Sequence, residues 1–432
     1  MSHTIDWDAA TSEAVSLLRE YIRIDTSNPP GNEAKAVAFL AGILENEGIP
    51  FETAESAPGR SNLFAAIGPG DRRVCLLNHT DVVPVERQFW DVDPFAGELI
   101  DGVVWGRGAL DMKGMGIIEL MTLLLLKRQG VPLRRGVVFL AAADEEAGSE
   151  YGVSWIERER PDWLRADLVI NEGAYGLMGV GGSNALVFQV APTEKVPVWV
   201  RLTVRGRPGH GSVPHGDNCA EHLVRALNRV AEWKQDLRIT PVMREHLNVL
   251  SGAGVFETDE DSALLQAAER SPAVRARLAN TISLTTIQTG IKVNVIPAEA
   301  TATLDCRLLP DVDVDEFLAE LRRVVADDRV KVEVLNRFHG AESPLDGEFL
   351  SVVRDVVTEL VEGAHIAPEL TSGFTDSRIY RARGVPAYGF VPCLVRPEEL
   401  AGVHGHNERI SVENLKLGMQ ILYEVVLRLC AK

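Results

Sequence analysis

Positive charge is scarce in this sequence: 44 Lys and Arg face 62 Asp and Glu, leaving a net charge of −18. No basic face emerges from it, which argues against a nucleic-acid partner. Cysteines are few and scattered. The five (Cys75, Cys219, Cys306, Cys393 and Cys430) are odd in number, far apart and never spaced C-x-x-C. They read as buried free thiols in a reducing compartment. Long apolar runs are missing as well. The most apolar helical stretch, residues 115–126, includes Glu119 and is too short to cross a bilayer. Residues 1–8 are polar and hold no apolar core, so no signal peptide is expected. Internal repeats and low-complexity segments are also absent. Together these absences leave a soluble cytoplasmic protein with no membrane partner as the expectation.

What is present is enzyme-sized. A chain of 432 residues suggests two or three domains, and 46% hydrophobic with 25% charged residues are globular values. The spacing of Val15, Leu18, Tyr21 and Ile22 predicts a helix over residues 9–24, stopped by the loop Ser27-Asn28-Pro29-Pro30-Gly31. A second helix, 33–47, ends at Gly48. Strands are expected at 62–67 and 73–77, and 136–143 is the near-continuous apolar run of a strand buried on both faces. A short strand at 167–170 runs into Asn171-Glu172-Gly173. Strands alternating with helices predict an α/β sheet, which binds ligands at the carboxyl ends of its strands.

The rhythm changes near Glu194. Strand Val196–Arg205, helix 217–233, strands Thr281–Thr289 and Glu299–Leu308, helix Val314–Val325 and strand 330–335 follow the β-α-β-β-α-β order of a ferredoxin-like module. A helical excursion, 241–279, interrupts it. The outer boundaries fall at Ala191-Pro192-Thr193 and Phe338-His339-Gly340. The α/β pattern then returns with a helix at 348–361, a strand at 385–391 and a C-terminal helix bearing Leu415, Met419, Leu422, Val426 and Leu429 on one face. One domain is thus expected inside another.

The chemistry-bearing residues gather where the strands end. His79 and Asp81 follow the 73–77 strand, and Asp111 lies in a glycine-punctuated turn that opens an apolar helix. Imidazole and carboxylate both suit zinc. Alone, a His-x-Asp is an ordinary solvated loop pair. Asp144-Glu145-Glu146 offers two adjacent carboxylates with different directions, so one can bind metal while its neighbour works as a base. Alone, that is a surface acidic cluster, and the same holds for Asn171-Glu172-Gly173 and the polar loop His404-Gly405-His406-Asn407-Glu408. Taken together they change meaning. One His, one bridging Asp, two Glu and another His form a complete ligand set for two zinc ions about 3.5 Å apart sharing a carboxylate.

The segments L-L-N-H-T-D-V-V-P, W-G-R-G-A-L-D-M-K-G, D-E-E-A-G-S, N-E-G, G-R-P-G-H-G-S, N-V-I-P-A-E-A, T-D-S-R and H-G-H-N-E run in order from His79 to Glu408. In these the chain resembles the di-zinc metallopeptidase family of aminoacylase-1, glutamate carboxypeptidase, succinyl-diaminopimelate desuccinylase and acetylornithine deacetylase. The resemblance implies a zinc-peptidase-like catalytic α/β/α domain, residues 1–193 and 340–432. Into it is inserted a ferredoxin-like α+β lid and dimerisation domain, 194–339.

The resemblance also implies roles. His79, Asp111 and Glu172 would hold one zinc, and Asp111, Glu146 and His404 the other, with cobalt or manganese as possible substitutes. His406 is left without an assignment. Asp81 would orient His79, and Glu145 would be the general base. A cis peptide is implied at Asp111-Met112. His210 would reach the partner subunit's active site and stabilise the oxyanion, which makes a homodimer through the lid part of the mechanism. Asn294, Arg307 and Arg378 would contact substrate, the last near its carboxylate. The implied activity is hydrolysis of an amide next to a free α-carboxylate, in an N-acyl amino acid or a short peptide. The alternatives are a specific N-deacylase of a succinylated or acetylated metabolite and a non-catalytic metal-binding protein on the same fold. The second would be marked by loss of the base or of a ligand, and all are present.

Overall fold

The computed structural model describes residues 5–255, 260–338 and 340–432. Residues 1–4 of the polar start, 256–259 of the helical excursion and His339 at the second boundary lie outside the described residues.

The apolar runs become the middle of an eight-stranded sheet. Its order is Phe51–Ala57, Arg60–Ile67, Gly136–Ala142, Arg73–His79, Leu168–Met178, Ala387–Val395, Leu186–Glu194 and Ala364–Thr371. Alternation along the central strands explains the run of apolar residues. Val137, Phe139 and Ala141 enter one core, while Val138, Leu140 and Ala142 enter the other, on the opposite face. The first core is closed by the helices Trp7–Ile22, Lys113–Arg128, Glu348–Leu360 and Val412–Cys430. Arg73–His79 and Gly136–Ala142 pair in parallel, His79 beside Ala142, so both release their next residues at the same edge. The Asp111-Met112 peptide is cis, and all five cysteines are buried and free.

The second unit has its own core. Thr281–Thr289, Glu299–Leu308, Val196–Arg205 and Val330–Arg337 form an antiparallel sheet in that order. Helices Cys219–Glu232 and Val314–Val325 cover one face through Leu223, Leu227, Phe317 and Leu321. The excursion does not stay with this unit. Its helix Pro241–Gly252 packs Val242, Met243 and Leu247 beside Leu278, Leu309 and Leu370. His246 Nδ1 lies 2.8 Å from the Pro368 carbonyl oxygen, and Arg277 and Gln189 both bind the buried Glu369 carboxylate, at 3.0 and 2.7 Å. The excursion thereby covers the edge strand Ala364–Thr371, which would otherwise present open pairing groups.

Three strands of the large sheet escaped the sequence pattern. Phe51–Ala57 mixes polar and apolar residues at a sheet edge, and Ala364–Thr371 contains Pro368, which the register shift between Pro368 and Leu370 accommodates. Leu186–Glu194 runs through the expected boundary at 191–193 and ends one residue before Val196–Arg205 begins. The strand expected at 167–170 continues as Leu168–Met178, so Glu172 lies within a strand. There the pairing shifts between Gly389 and Val391, which opens the ladder beside it.

Leu247 is fully buried under the excursion. Leu247→Ala should cost about 2–5 kcal/mol and lower the denaturant midpoint of the whole chain. An unchanged midpoint would mean that the excursion is not fastened to the sheet.

Candidate metal centre

Asp111 sits at the middle of the site because its turn is wrapped around another residue, Glu408. The Glu408 carboxylate, wholly buried, accepts from Arg107 Nη1 at 2.6 Å and from the backbone N–H groups of Gly108, Leu110 and Asp111 at 2.9, 2.8 and 2.8 Å. Hydrogen bonds to a charged acceptor are the strong ones. The turn is also tight: a Cβ on Gly114 would come within 2.1 Å of the Ala109 carbonyl oxygen, so only glycine fits.

Asp111 presents its two oxygens in different directions. Oδ1 lies 3.1 Å from His79 Nε2, and Oδ2 lies 3.1 Å from His404 Nε2. His79 Nε2 is also 3.4 Å from Glu172 Oε1, and His404 Nε2 is 3.1 Å from Glu146 Oε2. Two triads therefore share one carboxylate. A Glu145 oxygen joins the first of them, within 4.8 Å of ligand atoms of His79 and Glu172. His79 is buried at the strand end, whereas the His404 side chain is half exposed at the mouth.

The orientation of His79 follows from its other nitrogen. Nδ1 lies 3.0 Å from the Asp81 carbonyl oxygen and 3.4 Å from Asp81 Oδ1. A proton held on Nδ1 leaves Nε2 with its lone pair facing the cage. The Asp81 carboxylate reaches further. It accepts from the backbone N–H of Glu145 and Glu146 at 3.1 and 3.2 Å, and from Asn28 Nδ2 at 2.8 Å. Asn28 also donates to Asp144, which Arg60 binds at 2.7 Å. The acidic tripeptide is thus held by its backbone and by Asp144, leaving Glu145 and Glu146 free to point inward.

Electrostatically the cage is dominated by its crowded carboxyl groups. Burial, and next the Asp111 charge, pushes the Glu172 carboxyl up to about 7. Burial raises Glu145 well above the carboxylate range, with the Glu172 charge adding to it, and raises Glu146 with help from Asp111. Burial would raise Asp111 too, but the hydrogen bonds from His404 and His79 hold it far down. Hydrogen bonds to Asp111 and Glu146 lift His404 to about 10, and neighbouring carboxylates lift His79 against its burial. Oxygens Oε1 of Glu145 and Oε1 of Glu146 are buried with no hydrogen-bond partner among the described residues. Orphaned carboxylate oxygens beside imidazole nitrogens are the donor set that divalent zinc takes, so the residues present fit two such ions.

The other expected residues stand outside the cage. His210 is exposed on the short strand Gly209–His210, its Nδ1 accepting from the Ser212 backbone N–H at 3.2 Å. Asn294 is its neighbour, with its carbonyl accepting from Gly211 N–H at 2.8 Å. Among the described residues, no hydrogen bond or ion pair joins either to the cage. Arg307 is paired with Asp305 at 2.8 Å. Arg378 is buried and donates to the carbonyls of Thr375 and Gly148 at 2.8 and 3.0 Å. Sequence reasoning missed Glu408, Arg107 and Asn28 as supports. Glu408 stood inside a recognised motif, but nothing in its spacing pointed to Asp111.

Known proteins resemble this chain in sequence and in fold. The profile of peptidase family M20/M25/M40 matches residues 75–428. The chain is 32% identical over 394 residues to the N-fatty-acyl-amino acid synthase/hydrolase PM20D1 of Xenopus tropicalis, covering 85% of this chain and 75% of that one. It is 30% identical over 422 residues to human aminoacylase-1, covering 94% and 93%. Among solved structures, the M20 family metallo-carboxypeptidase Sso-CP2 of Sulfolobus solfataricus superposes with a TM-score of 0.75 at 17% identity, covering 96% and 98%.

Glu408→Gln would set an amide N–H against the backbone donors around Asp111. Apparent metal affinity should fall about 10–100-fold, read by competition with a chelator of known strength. Unchanged affinity would mean that the turn holds Asp111 without Glu408.

Proposed function

Because the chain belongs to peptidase family M20/M25/M40, we propose that it uses two zinc ions to hydrolyse the amide of an N-acyl amino acid or a short peptide, next to a free α-carboxylate. One observation carries the reading: Asp111 faces His79 with one oxygen and His404 with the other. His79, Asp111 and Glu172 would hold the first ion; Asp111, Glu146 and His404 would hold the second. Bound there, the ions would supply Lewis acidity and make a nearby water easier to deprotonate.

The chain's own residues do the remaining work. Glu145 takes a proton from the attacking water as its oxygen bonds to the carbonyl carbon. It returns that proton to the nitrogen as the C–N bond breaks, releasing acid and amine. One of its oxygens is buried without a hydrogen-bond partner among the described residues, and so is open to receive that proton. Asp81 fixes the backbone of Glu145 and the ring of His79. Arg378 and Arg307 read the substrate carboxylate, as guanidinium forks suit, and Asn294 lines the substrate's path.

His210 supplies the oxyanion donor to the partner subunit of a homodimer. The Thr281–Thr289 edge strand supports that assembly: it exposes Leu284 and Ile287, while Ile291 and Val293 beyond it are 95% and 102% exposed. Apolar residues on an open edge call for a covering surface. We take residues 1–193 and 340–432 as the catalytic unit and 194–339 as the lid. Five free thiols suit the reducing cytoplasm. The aminoacylase reading is favoured over the peptidase one because the relatives at 30% and 32% identity carry N-acyl amino acid hydrolase names.

The direct test is amine release from N-acyl amino acids and dipeptides by chelated enzyme restored with zinc, cobalt or manganese. Metal-dependent cleavage that needs a free α-carboxylate is the expected result; silence with two metals bound would overturn it. Glu145→Gln should lower kcat by about 10²–10⁴-fold with metal content unchanged. Equal loss of metal would reverse the roles of Glu145 and Glu146. His210→Ala should be inactive as a dimer yet regain activity when mixed with Glu145→Gln. No recovery would place His210 outside the partner's site.

A further inference from the structure

Phe374 stands in the loop between the strand Ala364–Thr371 and the helix Ser377–Ala382. Its ring gathers groups from both units. The Arg307 guanidinium carbon, from the lid strand Glu299–Leu308, lies 4.8 Å from the ring centroid. The Arg378 guanidinium carbon, from the catalytic unit, lies 4.9 Å from the same centroid. Trp199 of the lid meets the ring edge-on at 6.4 Å, and Phe338 of the returning linker stacks on it at 6.2 Å. Cations are drawn to an aromatic face by its quadrupole, so the Phe374 ring links two arginines from separate chain units, with Arg378 also 4.6 Å from the Phe338 ring.

The loop is fixed relative to the cage. Thr371 Oγ1 donates to the Gly173 carbonyl at 2.8 Å, directly after Glu172. Gly173 has φ +129°, and a Cβ there would meet Thr371 Oγ1 at 3.3 Å and Thr375 Cγ2 at 3.8 Å. Arg378 binds the Gly148 carbonyl, three residues past Glu145. The loop is also fixed to the hinge. Thr375 donates through its N–H and its Oγ1 to the Glu194 carboxylate at 3.1 and 2.9 Å, where the chain leaves for the lid.

We propose that Phe374 is a positioning residue for substrate: its ring joins Arg307 and Arg378 into a single carboxylate reader that is complete only with the lid seated. This deepens, and rests on, the carboxylate reading given above. An α-carboxylate entering beside the cage then meets two guanidiniums already gathered, and losing the ring lets Arg307 move away with the lid.

The test compares an N-acyl amino acid with its C-terminal carboxamide, using wild type, Phe374→Ala, Phe374→Leu and Phe374→Tyr with matched metal content. Phe374→Ala and Phe374→Leu should raise KM for the acid about 10-fold while kcat stays within about 3-fold, the size expected from losing two cation–ring contacts. The carboxamide should be cleaved no worse than by wild type, so the acid-to-amide preference shrinks. Phe374→Tyr, which keeps the ring face, should restore it. Phe374→Leu keeps bulk without a π face and separates packing from cation binding. Variants that discriminate as well as wild type, or that lose kcat equally on both substrates, would overturn the role of Phe374 alone. A wild type indifferent to the carboxylate would overturn the functional reading, and this proposal with it.

Discussion

Four carboxylates, those of Asp111, Glu145, Glu146 and Glu172, are packed around two imidazoles in a buried cage, and the rest of the structure answers to that crowding. Like charges out of water are unfavourable unless cations or hydrogen bonds offset them. Three of the carboxyls are pushed upward, first by burial, whereas Asp111, which both histidines hold, is pushed down. A cage in this state favours positive charge from outside. Divalent cations meet that demand in a way that protons cannot, because they can bind all the oxygens while leaving the carboxylates ionised.

Such a cage needs an outer frame that does not yield. Of the four inward carboxylates, those of Asp111, Glu145 and Glu146 are held from behind through their backbone N–H groups. Glu408 grips the Asp111 turn, Asp81 grips the N–H groups of Glu145 and Glu146, and Arg60 with Asn28 grips Asp144. This frame is polar and buried, so each member depends on the others being in place. The histidines differ in kind. His79 is fixed by a strand end and Asp81, whereas His404 comes from a loop at a positive φ of 56° with an exposed side chain. One half of the centre is built into the sheet, and the other is delivered to it.

The sequence pointed to the residues of the cage and not to the frame. His79, Asp111, Glu146, Glu172 and His404 were readable because each stands in a short motif near a strand end, and the order of the motifs made them one set. The hydrogen bond from Asp111 to Glu408 spans 297 positions, and no periodicity or local composition encodes a partner so far away. The large sheet was half legible for a similar reason. Central strands announce themselves by unbroken apolar runs, while the edge strands Phe51–Ala57 and Ala364–Thr371 carry charges or a proline and look like loops. Glu172 was misplaced to a strand end because the pairing shift at Gly389 is a property of the neighbouring strand. The lid was read more fully, since alternation on its half-open sheet leaves a clear period of two.

The excursion 241–279 bears on how such proteins can be recombined. It is spelled out between two lid elements, yet it packs on Ala364–Thr371, the strand that leads straight into the loop of Phe374 and Thr375. The lid's own sequence therefore helps to set a loop of the other unit. A chimera that exchanged the four-stranded sheet and its two helices, cut at the visible linkers, would carry away the clasp on that strand with them. The boundary at which this chain could be traded as modules does not coincide with the boundary between its two folded units.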